Sequence, residues 1–194
     1  MKFVPKEIVM DFLTEEQNGG DLFKPFVSEK KVAILFSDIE SFTSISENLH
    51  PRQLISMLNV YFEEASNVVR SHSGTLDKYI GDSIMAFWNA PHDLEHYEIQ
   101  ACRAAIEMQR VIGELNERFL NDGLPPFNTR IGVHVGNVLV GNTGSSFRLS
   151  YTIMGDSVNL GSRLEGLNKL YGTRTLISHD CKTQVDSHDN TLGG

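Results

Sequence analysis

Asp38 closes the apolar run Val32-Ala-Ile-Leu-Phe-Ser-Asp-Ile39, and Asp82 closes Asp77-Lys-Tyr-Ile-Gly-Asp82. A strand rich in β-branched and aromatic residues is rigid, so its end delivers a short carboxylate to a fixed point. Such a carboxylate pair suits a hard cation such as Mg²⁺, which takes oxygen ligands and keeps water and substrate phosphates in its other positions. Two ions roughly 3.5–4 Å apart clamp the attacking and leaving oxygens of an in-line phosphoryl displacement. The same residues also fit plainer roles: Gly81-Asp82 is hairpin-turn chemistry, and Ser37-Asp38 would cap a following helix.

Those carboxylates need elements to hold them. Residues 31–39 read as a strand, apolar at nearly every position and therefore central and buried on both faces. Over residues 51–71 the apolar positions Leu54, Leu58, Tyr61, Phe62, Ala65, Val68 and Val69 step by three and four, which predicts a helix. Residues 75–80 and 83–88, joined across Gly81-Asp82, read as a hairpin, with Gly74 marking the break from the helix. The helical period returns over residues 94–120 and is stopped by Asn121-Asp-Gly-Leu-Pro-Pro126. Two strands are predicted over 129–135 and 138–141, turned at Gly136-Asn137. A loop follows, then a strand around 151–154, a helix from Asp156 to about Leu170 with Asp156 as its N-cap, and a short strand over 173–177. Upstream, Pro5 with Ile8, Val9, Phe12 and Leu13 on one face predicts a short helix, and 14–28 reads as a linker. Residues 1–28 are thereby set apart from a domain over 29–194.

The order strand, helix, hairpin, helix, hairpin, helix, strand predicts an α/β sandwich. It has a ferredoxin-like, palm-type β-α-β-β-α-β core, with helices on one face of a mainly antiparallel sheet. In that core the first strand neighbours the hairpin, so Asp38 meets the tip that carries Asp82.

The 194 residues, 40% of them apolar, suffice for one full core, and the formal charge of −8 excludes broad binding to a nucleic-acid backbone. Cys102 and Cys181 lie far apart in sequence with no C-x-x-C, so neither a disulfide framework nor a structural zinc site is expected, which favours a reducing, cytoplasmic setting. No apolar run approaches the roughly 20 residues that span a bilayer, and no signal-peptide pattern opens the chain. His92 and His96 have the i, i+4 spacing that can hold zinc but lack the H-E-x-x-H order, and His134, between Val133 and Val135, reads as a sheet residue.

Three segments together carry a family likeness: Leu35-Phe-Ser-Asp-Ile-Glu-Ser-Phe-Thr43, Asp77-Lys-Tyr-Ile-Gly-Asp82 and Tyr151-Thr-Ile-Met-Gly-Asp-Ser-Val-Asn-Leu-Gly-Ser-Arg-Leu-Glu165. In this order they resemble the class III nucleotidyl cyclases, which convert a nucleoside triphosphate into its 3′,5′-cyclic monophosphate and pyrophosphate. The likeness runs from about Phe3 to Asp180 and includes the Phe3-Val-Pro5 lead-in of bacterial multidomain cyclases.

The resemblance implies that Asp38, Asp82 and the Ile39 carbonyl bind two Mg²⁺ or Mn²⁺ ions, and that backbone N–H groups at Phe42 and Thr43 meet phosphate. It implies that Lys78 and Thr152 read adenine, where guanylyl cyclases typically carry Glu and Cys. Asn159 and Arg163, four apart on one helix face, would orient the ribose and stabilise the transition state. One metal would activate the ribose 3′-hydroxyl for in-line attack at the α-phosphorus while the other held the triphosphate. Lys78 and Asp82 are about 13 Å apart on an extended strand, too far for one copy to serve both adenine and metal easily. The family's head-to-tail dimer takes its aspartates from one copy and Lys78, Thr152, Asn159 and Arg163 from the other, so a symmetric homodimer is expected.

Two departures stand out. Where family members often have consecutive basic residues before the adenine-reading strand, only Arg148 is available to touch phosphate. Nothing over 179–194 matches the two further strands and triphosphate-binding lysine that usually follow, so the chain is expected to lack that element. The reading is therefore an adenylyl cyclase acting on ATP, with an upstream sensor outside this chain. The alternatives are a guanylyl cyclase or a non-catalytic nucleotide-binding or dimerisation module. A diguanylate cyclase or polymerase palm would share the sheet and metal pair but gives Asn159 and Arg163 no role.

Overall fold

A computed structural model describes residues 27–145 and 148–189, and the short helix expected near Pro5 lies outside them. β1 spans Val27–Ile39, beginning earlier than the sequence indicates because residues 27–31 find ladder partners in Gly141 through Asn137. There follow α1 (Phe42–Asn48), α2 (Pro51–Ser71), β2 (Thr75–Ile80), β3 (Ser83–Trp88), α3 (Tyr97–Asn121), β4 (Thr129–Ser145), β5 (Arg148–Met154), α4 (Asp156–Tyr171), β6 (Thr175–Ile177) and α5 (His179–Asp189). α2 and the β2–β3 hairpin match the sequence reading residue for residue. Pro51 opens α2 with its preset φ, and the stripe Met57, Tyr61, Ala65, Val68 and Val69 is buried.

The strand order is β2-β3-β1-β4-β5, antiparallel throughout, with β6 added parallel to β4. Side chains alternate between the faces of central β1. Ala33, Leu35 and Ile39 pack with α2 and α3 around Tyr61, Trp88, Met108 and Phe127. Val32, Ile34 and Phe36 face a second cluster with Phe87, Val140, Tyr151 and Ile153. Trp88 is fully buried, its indole N–H donating to the His72 carbonyl at 2.8 Å, and a Cβ at Gly74 would come within 2.6 Å of its ring.

Helices cover both faces rather than the one expected. α4 lies on the second face, with Gly161 against Ile34 and Phe36. At Gly132 a Cβ would come within 2.4 Å of the Glu165 backbone nitrogen, so only glycine admits the helix at this depth.

The turn expected at Gly136-Asn137 is also absent, because β4 runs straight through, pairing Gly136 with Val32 and Asn137 with Lys31. Gly136 serves close approach instead: a Cβ there would meet Ser157 Oγ at 2.3 Å. Asp156 is the first residue of α4, not its cap, and Gly155 at φ 136° holds the capping position. The distal part of β4 carries β5 over the second face, where Tyr151 meets Phe87 with ring centroids 6.3 Å apart. The edge strands β2 and β5, at opposite ends of the strand order, are brought together in this way.

Cys102 on α3 and Cys181 on α5 meet as free thiols with Sγ atoms 3.6 Å apart, a proximity that their 79-residue separation conceals. Among the described residues no helix is long and apolar enough to cross a membrane.

Candidate active site

Asp38 and Asp82 come together, each tied to the residue that follows the other. Ser83 Oγ donates to Asp38 Oδ1 at 2.7 Å, and the Ile39 backbone N–H donates to Asp82 Oδ2 at 3.2 Å. Two local features bring this about. Gly81 at φ 63° makes the tight hairpin turn, and the β1–β3 register pairs Ser37 with Ile84, setting the tip beside the end of β1. The capping alternative fails for Asp38, since Ser41 holds the N-cap position of α1.

Opposite Asp38 in the β1–β4 register stands Arg130, whose Nη2 donates to Asp38 Oδ2 and whose Nε donates to Glu165 Oε1, each at 2.9 Å. Burial and then the Asp38 charge hold the Asp82 carboxyl above the usual range. Burial likewise lifts Glu165, helped by the Asp38 charge and opposed by Arg130. Beneath the pair, burial pushes the Tyr61 hydroxyl up to about 12, so it stays protonated against Thr129 Oγ1, 3.3 Å away. Two carboxylates and the Ile39 main chain form an all-oxygen donor set that fits Mg²⁺ or Mn²⁺. The like-charge repulsion that raises Asp82 is what a divalent ion would relieve.

A second cluster forms where the two sheet edges meet. The Thr152 hydroxyl donates to Asp77 Oδ2 at 2.6 Å, and Lys78 Nζ donates to Thr152 Oγ1 at 3.2 Å and lies 3.3 Å from Asp77 Oδ1. A register shift between Leu76 and Lys78 breaks the strict alternation of β2, so consecutive side chains reach one partner. The Asp77 side chain is 1% exposed, and burial raises its pKa against the pull of Thr152 and Lys78.

Asn159 and Arg163 are exposed on α4 and join neither cluster within one copy. Arg163 lines a cavity of about 690 Å³ with Lys31, Asn137, Asp156 and His179. Phe42 and Thr43 are the first residues of α1, the Phe42 ring resting edge-on to Phe127. Arg148 opens β5, its side chain outside the described residues. His92 is not part of the cluster that forms around His96. His96 gathers with Glu98 and His188, their ligand atoms within 4.8 Å, and His188 pairs with the buried Glu98 at 2.7 Å. Sequence reasoning missed Arg130 and the parts played by Asp77 and Glu165. The latter two stood inside the quoted motifs, whereas Arg130 becomes visible only through strand register.

Comparison with known proteins gives the family. The family model of the adenylate and guanylate cyclase catalytic domain matches residues 26–182. Adenylate cyclase 1 of Rhizobium meliloti is 43% identical over 94% of this chain, and the adenylate cyclase of Anabaena cylindrica is 38% identical over 91%. The chain spans only 28% and 35% of the length of these two relatives. Among solved structures, the adenylyl cyclase CyaB from P. aeruginosa superposes with a TM-score of 0.77 at 33% identity, covering 84% of this chain and 83% of that one. The guanylyl cyclase Cya2 gives 0.76 at 34% identity, covering 81% and 79%. The chain belongs to the adenylate and guanylate cyclase catalytic domain family.

Proposed function

We propose that this domain is an adenylyl cyclase that converts ATP to 3′,5′-cyclic AMP and pyrophosphate in a homodimer with shared sites. The observation that carries the choice of base is the meeting of Lys78 with Thr152, 3.2 Å apart across 74 positions of sequence. A donor beside an acceptor matches adenine, whose N1 accepts and whose 6-amino group donates. The two curated relatives described above, both named adenylate cyclase, favour the same substrate.

Asp38, Asp82 and the Ile39 carbonyl would hold divalent ions, which when bound would supply Lewis-acid activation of the 3′-hydroxyl and charge neutralisation of the triphosphate. The 3′-oxygen bonds to the α-phosphorus as the bond to the pyrophosphate oxygen breaks, and the hydroxyl proton leaves to Asp38 or water. Lys78 and Thr152 fix the base, Asn159 orients the ribose, and Arg163 meets the charge on the α-phosphoryl oxygens. The N–H groups of Phe42 and Thr43, with Arg148, serve the phosphates. Asn159 and Arg163 lie on the exposed side of α4, away from the Glu165 side that faces Arg130. Their position favours delivery to the Asp38–Asp82 pair of a second copy.

Mixing an Asp38→Ala chain with an Asn159→Ala chain, each inactive alone, is expected to restore turnover at one site per heterodimer. Absence of rescue, or full activity from a strict monomer, overturns the shared site. The guanylyl reading is favoured by the likeness to Cya2. Turnover of ATP against GTP with Mg²⁺ or Mn²⁺ decides between the two.

A further inference from the structure

We propose that Asp77 is a specificity-determining positioning residue: by taking the only proton of the Thr152 hydroxyl, it leaves Thr152 able solely to accept from the purine. This deepens the adenylyl reading and rests on Lys78 and Thr152 being the base contacts. A threonine hydroxyl carries one proton and two lone pairs, and alone it rotates to suit a donor or an acceptor equally well. Here the proton is committed to Asp77 Oδ2 at 2.6 Å, and an ionised carboxylate only accepts.

Four further observations hold the arrangement. The Asp77 side chain is 1% exposed, so water does not compete for its oxygens. Lys78, 3.3 Å from Asp77 Oδ1, and the Thr152 hydroxyl both favour the ionised carboxylate, opposing the burial that raises its pKa. One Thr152 lone pair receives Lys78 at 3.2 Å, which leaves the other for a ligand. The irregularity in β2 between Leu76 and Lys78 is what lets adjacent side chains address one hydroxyl.

The surface offered to a purine is thus a fixed donor, the Lys78 ammonium, beside a fixed acceptor, the Thr152 oxygen. Adenine matches it at N1 and the 6-amino group. Guanine opposes it at both points, with N1–H facing the ammonium and O6 facing a lone pair. Discrimination that leaves a buried polar group unpaired is far stronger than discrimination by size. An amide at position 77 can turn its NH₂ toward Thr152 and release the hydroxyl proton to the ligand.

Steady-state kcat/KM for ATP and GTP tests this in the Asp77→Asn dimer, alongside its melting temperature. The ATP-over-GTP ratio is expected to fall by about tenfold or more, and the effect to vanish when Thr152 is already Val. A common loss for both nucleotides with an unchanged ratio would mean that Asp77 only supports the fold, and overturns the proposal.

Should Asp77→Asn fail to fold, nucleotide analogues on the unaltered protein decide. Purine riboside triphosphate keeps the N1 acceptor and lacks a 6-substituent, so it should be used less well than ATP yet better than inosine triphosphate, whose O6 faces the lone pair. The reverse order overturns the proposal. Lys78→Ala and Thr152→Val separate the two levels of the argument. If neither moves the ratio, the base-contact reading itself is wrong. If both move it and Asp77→Asn does not, Asp77 alone has been misassigned.

Discussion

Asp38 accepts from Ser83 on one oxygen and from Arg130 on the other, and Arg130 spends its remaining reach on Glu165. Removing the guanidinium leaves two carboxylates, 24% and 14% exposed, without their cation. Arg130→Ala is therefore expected to cost on the order of 2 kcal/mol, read as a lower urea midpoint. Arg130→Lys should recover only part of it, because an ammonium cannot bridge both partners in a fixed plane. Asp38 and Asp82 were legible in the sequence because each closes an apolar strand. Arg130 was not, since it faces Asp38 only through a register that pairs residues 92 apart. Asp77 stood in plain view, but its role depends on a strand irregularity and on a partner at the opposite sheet edge, neither of which leaves a periodic signature.

Among the elements, α2 and the β2–β3 hairpin were fully readable because Pro51, the three-and-four stripe and Gly81-Asp82 are local signals. The misread element is β4. Gly136-Asn137 has the composition of a hairpin turn, but its glycine answers to Ser157, a contact the local sequence does not encode. Gly132 and Gly136 both admit α4, yet substitution should not cost the same at each. At Gly132 a methyl group meets helix backbone at 2.4 Å, whereas at Gly136 the nearest atom is the rotatable Ser157 Oγ at 2.3 Å. Gly132→Ala is expected to destabilise by about 3 kcal/mol or more and Gly136→Ala by about 1–2 kcal/mol, measured by chemical denaturation. Equal losses would contradict the depth assigned to α4.

For the molecule as a whole, the contribution of His134 to stability should fall on mild acidification. His134 is 3% exposed with Nδ1 2.9 Å from Ser178 Oγ, and burial holds its pKa below the ordinary value against a partial lift from Asp180. In the unfolded chain it titrates near about 6.5. Between the depressed folded value and that point the unfolded state binds more protons, so the unfolding free energy rises with pH there and falls as acid is added. Above about 6.5 both states are neutral and the effect is absent. His134→Gln should flatten the change in urea midpoint between about pH 7.5 and 5.5 relative to the unaltered chain. An unchanged slope would show that His134 does not contribute. The sandwich was foreseeable from element order alone; that α4 would close its second face was not, because the close approach runs through glycines, Gly132 and Gly136 on β4 and Gly161 on the helix, which leave no apolar pattern to read.

The chain possesses one tryptophan, Trp88, sealed from solvent in the wall between the sheet and α2, with its indole N–H engaged. That makes it a native fluorophore with a single environment. Its emission should be blue in the folded protein and swing red as the hairpin bearing Asp82 loosens, providing a label-free optical gauge of the scaffold for every substitution considered above.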